Sequence, residues 1–241
     1  MEWQDEGLAL GTRRHGETSV ILELMTRHHG RHLGMVRGGR SRRMQPVLQA
    51  GNGMQAVWRA RIDEHMGTYV VEGTRLRAAA IMQSEGALHG MALVGVLLRL
   101  LPEREAHPAL YETALLIADN LHENEIAPAL MVRFELALLQ QLGFGLDLSE
   151  CAATGQKDEL VYVSPRSGRA VCAHAGAAWH DRLLSLPAFL RGDPVPLTPD
   201  PADIAAGFRL TGFFLTRDVF APRGGALPDA RRSYVALTSV A

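Results

Sequence analysis

The chain reads as α+β: a small N-terminal β-barrel followed by an α-helical domain that carries a small cysteine-containing hairpin insert. Three observations predict this. Short runs of alternating apolar residues, separated by glycine turns, fill the first eighty positions; apolar spacing switches to three-to-four from Ala78; and residues 146–175 change texture to Asp, Ser, Gly and Cys. A chain of 241 residues is long enough to bury a sizeable core in one large domain or in two to three small ones.

Gly7–Arg14 is a first strand; Ser19–Thr26 is a second, with Val20, Leu22 and Leu24 on one face; Arg31–Arg37 is a third. Met54–Ile62 and Thr68–Leu76 complete a set of five, with turns at His15-Gly16, His28-His29-Gly30 and Glu64–Gly67. Closure into a barrel removes the exposed edges that so small a sheet would otherwise present. The next stretches, Ala78–Leu101, Pro108–Leu121 and Ala127–Leu142, carry helical apolar stripes, and Gly143 follows the last of them as a C-cap signal. Leu160–Val163 and Arg169–Cys172 form the hairpin insert; helical pattern resumes over Ala177–Leu190, pauses in the proline-rich Gly192–Pro201, and continues through Ile204–Phe220 and Asp229–Val240. The expected domains are therefore 1–80, a barrel; 81–145 with 176–241, helical; and 146–175, the insert.

Charge is distributed unevenly although the net formal charge is only −1: residues 1–80 are net +4, 81–150 net −7, and 151–241 net +2. The segment Thr26–Arg43 holds six arginines, three histidines and four glycines with no acidic residue. Guanidinium groups in that density must face water or an anion, since burial would demand a partner for each. Arg27, Arg31, Arg37, Arg40, Arg42 and Arg43 are accordingly the candidate phosphate-binding residues, with His28, His29 and His32 as further polar donors. A solvated loop protecting a sheet edge is the competing reading. Trp3, Trp58 and Tyr69 are the barrel's only large ring candidates for base stacking, so stacking is expected to be weak.

Catalytic patterns are missing: there is no Gly-x-Ser-x-Gly elbow, no phosphate loop ending in Lys-Ser/Thr and no His-Glu-x-x-His. The acidic start Met1–Glu6 lacks a signal-peptide apolar run, no stretch has the length of a membrane span, and two cysteines do not make a disulfide scaffold, which together predict a cytoplasmic protein.

Taken in order, Glu6–Leu10, the Gly16-Glu17 turn, Thr26–Arg31 leading to Val36-Arg37-Gly38, and Leu139–Gly145 ahead of a cysteine resemble the bacterial recombination-mediator RecO family over essentially the whole chain. Leu210–Leu215 through Pro228–Arg231 resembles its alphaproteobacterial branch. The resemblance implies an OB-type barrel and a non-enzymatic DNA repair and recombination role at the nucleoid. It further implies binding of single- and double-stranded DNA, annealing of complementary strands, and, with RecR, loading of RecA on DNA coated by single-strand binding protein. The helical domain would take the acidic, phenylalanine-ended tail of that protein, with Arg133, Arg209 and Arg217 as the candidate partner-binding residues. A protein-interaction adaptor, with the acidic middle segment as its working surface, is the alternative. Many family members hold zinc with two Cys-x-x-Cys knuckles; here these read Cys151-Ala-Ala-Thr154 and Cys172-Ala-His-Ala175, so no metal or other cofactor is expected.

Overall fold

The computed structural model describes residues 1–191 and 199–238, which separate into two compact units, Met1–His122 and Glu123–Ala241. The expected proline-rich loop lies largely, and the end of the last helix wholly, outside the described residues.

The first unit is built on a closed barrel in the order β1-β2-β3-β5-β4, formed by β1 (Glu2–His15), β2 (Ser19–Thr26), β3 (Gly30–Val36), β4 (Gly53–Arg59) and β5 (Thr68–Arg75). β1 starts five residues earlier than the apolar pattern suggests, because Glu2–Leu8 pairs with β4 while Gly7–His15 pairs with β2. A register shift between Ala9 and Gly11 lets one strand serve both neighbours. Leu22, Leu24, Met54, Ala56 and Trp58 fill the interior, and Leu48 of the β3–β4 linker closes it. Buried Asn52 fixes that linker: its side-chain amide donates to the Pro46 and Val47 carbonyls at 2.8 and 2.9 Å, and its oxygen accepts from the Ala78 amide at 2.9 Å.

The stretch expected as one helix over Ala78–Leu101 is two, α1 (Ala78–Ile81) and α2 (Glu85–Leu98). Ser84 interrupts it in an extended conformation, and its hydroxyl caps α2 by accepting from the Ala87 amide at 3.2 Å. α2 and α3 (Pro108–Asn120) pack into the same compact unit as the barrel, which extends to residue 122. Ion pairs explain this: Arg99 reaches Glu23 at 2.8 Å and the Leu10 carbonyl at 3.3 Å, and Asp119 accepts from Arg75 and Arg77 at 2.9 and 2.5 Å.

In the second unit α4 (Ala127–Gln141) ends as its glycine signal predicts. Gly143 is left-handed (φ +86°), its amide donates to the Gln140 carbonyl at 3.1 Å, and the Phe144 amide reaches the Leu139 carbonyl at 2.8 Å. β6 (Leu160–Val163) and β7 (Ala170–Cys172) form the expected hairpin, followed by the single turn α5 (Ala173–Gly176). The helix expected over Ala177–Leu190 is replaced by a 3₁₀ turn (Ala177–Arg182), a short strand β8 (Leu184–Ser185) added to β6, and a second 3₁₀ turn (Ala188–Leu190). Pro187, extended at φ −60° and ψ 147°, blocks a continuous helix. α6 (Pro201–Phe214) widens into a π-type turn over Leu215–Phe220, and α7 (Asp229–Thr238) closes the unit. Buried Glu135 of α4 accepts from Thr211 of α6 and from Arg231 of α7, joining three helices through one carboxylate.

Candidate nucleic-acid interface

The arginine segment divides into two groups with different surroundings. Arg27, on the β2–β3 turn, pairs with Glu6 at 3.3 Å and with Glu112, and lies 5.3 Å over the Tyr111 ring. Arg31 is 13% exposed: Nη1 donates to Glu23 at 2.9 Å and Glu103 at 3.3 Å, and Nη2 to the Leu101 carbonyl at 3.4 Å. Their ion pairs make both internal ties of the first unit, and Arg31 Nε is itself buried away from solvent.

Arg37, Arg40, Arg42 and Arg43 are exposed on the β3–β4 linker. Arg40 anchors that linker to the β1–β2 turn, its amide donating to the Thr18 carbonyl at 3.0 Å and its guanidinium to the carbonyls of Gly16 and Glu17. The anchoring brings in Arg13 and Arg14, two exposed residues at the end of β1 that the sequence reading left out. Register explains their arrival, since Arg14 pairs with Val20 and Val20 with Val36, one residue before Arg37. Arg14 and Arg40 face a shared recess of 170 Å³ with Thr12, Gln45 and Gln49 around it and Val20 and Leu48 on its floor. None of Arg13, Arg14, Arg37, Arg42 or Arg43 has an acidic partner among the described residues. Glu17 of the β1–β2 turn contributes its backbone carbonyl to Arg40. The signal that could have found Arg13 and Arg14 is their position beside the Gly16 turn, which closes in left-handed backbone at φ +60°.

The histidines are placed otherwise than expected. His28 and His29 both direct Nδ1 to the buried Asp5 carboxylate, at 3.0 and 2.9 Å, and the His28 amide adds a bond of 2.7 Å. Burial alone would raise the Asp5 pKa, but the His28 amide, both imidazoles and the Glu6 amide together hold it below its ordinary value. His32 is buried among Trp3, Trp58 and Tyr69, with ring centroids 5.1, 4.9 and 6.2 Å away. Burial drives its pKa down to about 4, against a raising effect of the Leu33 carbonyl, so it is a neutral core ring and no cation for phosphate. Trp58 and Tyr69 are core as well; Trp3 is half-buried, stacked on His29 at 4.1 Å and on Trp58 at 5.6 Å.

In the second unit, Arg209 and Arg217 line one groove and Arg133 lies outside it. Arg133 sits 5.6 Å over the Phe189 ring and donates to the Phe189 carbonyl at 3.0 Å. Arg217 stacks 4.7 Å over Phe214 and pairs with Asp218 at 2.6 Å, while Arg209 is exposed. Cys151 and Cys172 are buried free thiols, and the Cys172 amide donates to Cys151 Sγ at 3.3 Å. Burial opposes ionisation of Cys151, but the Thr154 hydroxyl and the amides of Cys172, Ala153 and Thr154 bring its thiol down to about 6. Thr154 and Ala175 stand where a four-cysteine site needs thiolates, and among the described residues no three His, Cys, Asp or Glu side chains gather as a metal site would require. Among the described residues, too, no helix is long and apolar enough to cross a membrane.

Residues 1–76 match the family described as Recombination protein O N terminal, and residues 85–225 match Recombination protein O C terminal. The chain is 60% identical over 241 residues to a DNA repair protein RecO of Methylorubrum populi, covering 98% of both chains. It is 59% identical over 236 residues to the one from Methylocella silvestris, covering 98% of this chain and 95% of that one, and 56% identical to the one from Mesorhizobium japonicum. Two family matches in the right order, on a closed N-terminal barrel and a helical second unit, establish that this chain belongs to the recombination protein O family.

Proposed function

We propose that this chain is a non-enzymatic DNA repair mediator that grips the phosphate backbone of single- and double-stranded DNA with the arginine rim of its barrel. The observation that carries the reading is the gathering of Arg13, Arg14, Arg37, Arg40, Arg42 and Arg43 on the β1–β2 turn and β3–β4 linker, where none of the six has an acidic side-chain partner among the described residues. Binding through phosphates is independent of sequence, which suits annealing of arbitrary complementary strands. In this reading the protein works with RecR to place RecA on DNA coated by single-strand binding protein. The acidic, phenylalanine-ended tail of that protein docks on the second unit in the groove beside Arg209 and Arg217. Titration of a fluorescent single-stranded oligonucleotide across a salt series tests the DNA half. A steep fall in affinity with salt is expected, and salt-independent or absent binding would favour a pure protein adaptor.

A further inference from the structure

The 3₁₀ turn Ala177–Arg182 has no buried residue, and it carries Trp179, 56% exposed. A ring of that size contributes most to stability when buried, so its place on the outside of a turn calls for another use. The base of the turn is fixed. Gly176 packs on the Tyr162 ring so closely that an added Cβ would stand 2.4 Å from it, His180 Nδ1 donates to the Ala177 carbonyl at 3.1 Å, and the Leu183 amide donates to the His180 carbonyl at 3.3 Å. Arg182 lies 5.6 Å over one face of the indole, and the exposure that remains corresponds to an open opposite face. Register brings a second cation to the same place. Leu184 of β8 pairs with Val163 of β6, so Arg182, just before β8, and Arg166, just after β6, lie at one end of the three-stranded sheet. Both are exposed, and neither has an acidic partner among the described residues; Asp181, the turn's one carboxylate, is held by His180 at 2.9 Å.

We infer that Trp179 is a stacking seat for a nucleobase of single-stranded DNA, with Arg182 and Arg166 beside it for the flanking phosphates. This inference rests on the reading that the chain binds DNA, and it adds a base contact in the second unit to the phosphate contacts of the barrel rim. A docking site for a folded partner needs a contiguous apolar surface. Here the ring's neighbours on the turn, Ala177, Ala178, His180, Asp181 and Arg182, are all exposed and none is large and apolar. An indole backed by a guanidinium offers instead a flat π-face that any base can meet, and the cation offsets the charge of the adjoining phosphate. The barrel's own rings do not supply such a face, since Trp58 and Tyr69 are core and Trp3 is stacked on His29. The seat is also selective for strandedness. A base inside a duplex is covered by its neighbours above and below and must be unstacked at a cost before it can meet Trp179, whereas a base of a single strand is free to do so. Annealing therefore withdraws the base from Trp179 while phosphate contacts at the rim persist.

The test uses the full chain, which has three tryptophans, and an oligothymidylate either single-stranded or annealed to its complement. The single strand should quench indole emission and the duplex should not. Trp179→Phe should abolish the quench with little change in affinity read by anisotropy, because the smaller ring still stacks. Trp179→Ala should weaken single-strand binding roughly 5- to 150-fold, the range of one lost stacking contact, and leave the salt slope and duplex affinity unchanged. The wild-type comparison of single strand with duplex needs no substitution, so the assignment stays testable if a variant folds poorly. Unchanged single-strand affinity in a folded Trp179→Ala variant, or equal quenching by strand and duplex, overturns the seat and leaves the rim reading standing. An emission change on adding RecR, with none on adding oligonucleotide, overturns it as well and makes the ring a protein anchor. Absence of binding to either DNA overturns the DNA reading and the seat with it.

Discussion

Replacing Arg37, Arg40 and Arg43 together by alanine removes half of the proposed phosphate-binding rim without touching the barrel core, since all three are exposed. On single strands each neutralised phosphate contributes about 0.7 to the slope of log affinity against log salt, so six contacts give a slope of about −4 and three a slope of about −2. Raising salt from about 50 to about 200 mM should then weaken the wild type by roughly 300-fold and the triple variant by only roughly 20-fold. The assay is anisotropy of a labelled oligonucleotide at four or five salt concentrations, with a thermal melt as control. The melt should shift only modestly, through loss of the Arg40 bonds to the Gly16 and Glu17 carbonyls at about 0.5–1.5 kcal/mol each, because the exposed charges themselves contribute about 0–1 kcal/mol. An unchanged slope in a folded triple variant would refute the rim and leave these residues as a solvated loop.

Arg31→Ala should act in the opposite sense, leaving the salt slope alone while costing about 2 kcal/mol, which corresponds to a fall in Tm of about 4–8 °C for a chain of this size; a slope change with no loss of Tm would return Arg31 to the DNA interface. Glu135→Ala strands Arg231 in the interior and should cost about 3–5 kcal/mol, measured by denaturant unfolding. His32 is neutral in the folded barrel down to about 4, whereas the unfolded chain protonates near 6.5. The unfolded state therefore binds more protons between those values, and stability should fall as pH drops from about 6.5 to about 4, by at most about 3 kcal/mol; His32→Asn should flatten that window, and an identical pH profile would contradict the burial argument. Chelation should leave the melt unmoved, because only two thiols remain at the insert; elemental analysis finding near one equivalent of zinc would overturn this.

What the sequence made legible was what local chemistry controls. Val20, Leu22 and Leu24 alternate because one face of β2 is core, and Gly143 signals the end of α4 because only a residue tolerant of φ +86° fits there. The single helix expected over Ala78–Leu101 broke at Ser84 because its apolar stripe runs on through the cap, hiding a hydroxyl that bonds the next turn. β8 was invisible for a different reason: two residues gain strand character only from pairing with Tyr162 and Val163. The site was half legible. Arginine density located the linker residues, but Arg31 was separated from them only by the Glu23 carboxylate of the neighbouring strand and by Glu103, 72 positions away, and Arg13 and Arg14 joined them only through strand register.

Those remote carboxylates also bear on the adaptor reading, which rests on the net charge of −7 over residues 81–150. An acidic docking face needs carboxylates free to meet a partner, and many here are already engaged. Glu112 pairs with Arg27, Glu103 with Arg31, and Asp119 with Arg75 and Arg77, all within the first unit. Within the second, Glu135 is buried against Arg231, and Asp147 and Glu150 both pair with Arg169. The acidic middle of the chain is thus the counter-charge for basic residues that lie elsewhere in each unit. Its effect on the first unit is selective: it neutralises Arg27, Arg31, Arg75 and Arg77 and does not reach the β1–β2 turn or the β3–β4 linker. The positive potential that survives is concentrated where the rim arginines stand, and a polyanion attracted to the barrel meets that rim first. Charge reversal at Glu112 is the corresponding check. Glu112→Lys should release Arg27 and add a cation, strengthening oligonucleotide binding and steepening its salt slope if the surrounding surface is reachable by DNA, and leaving both unchanged if the rim alone makes contact.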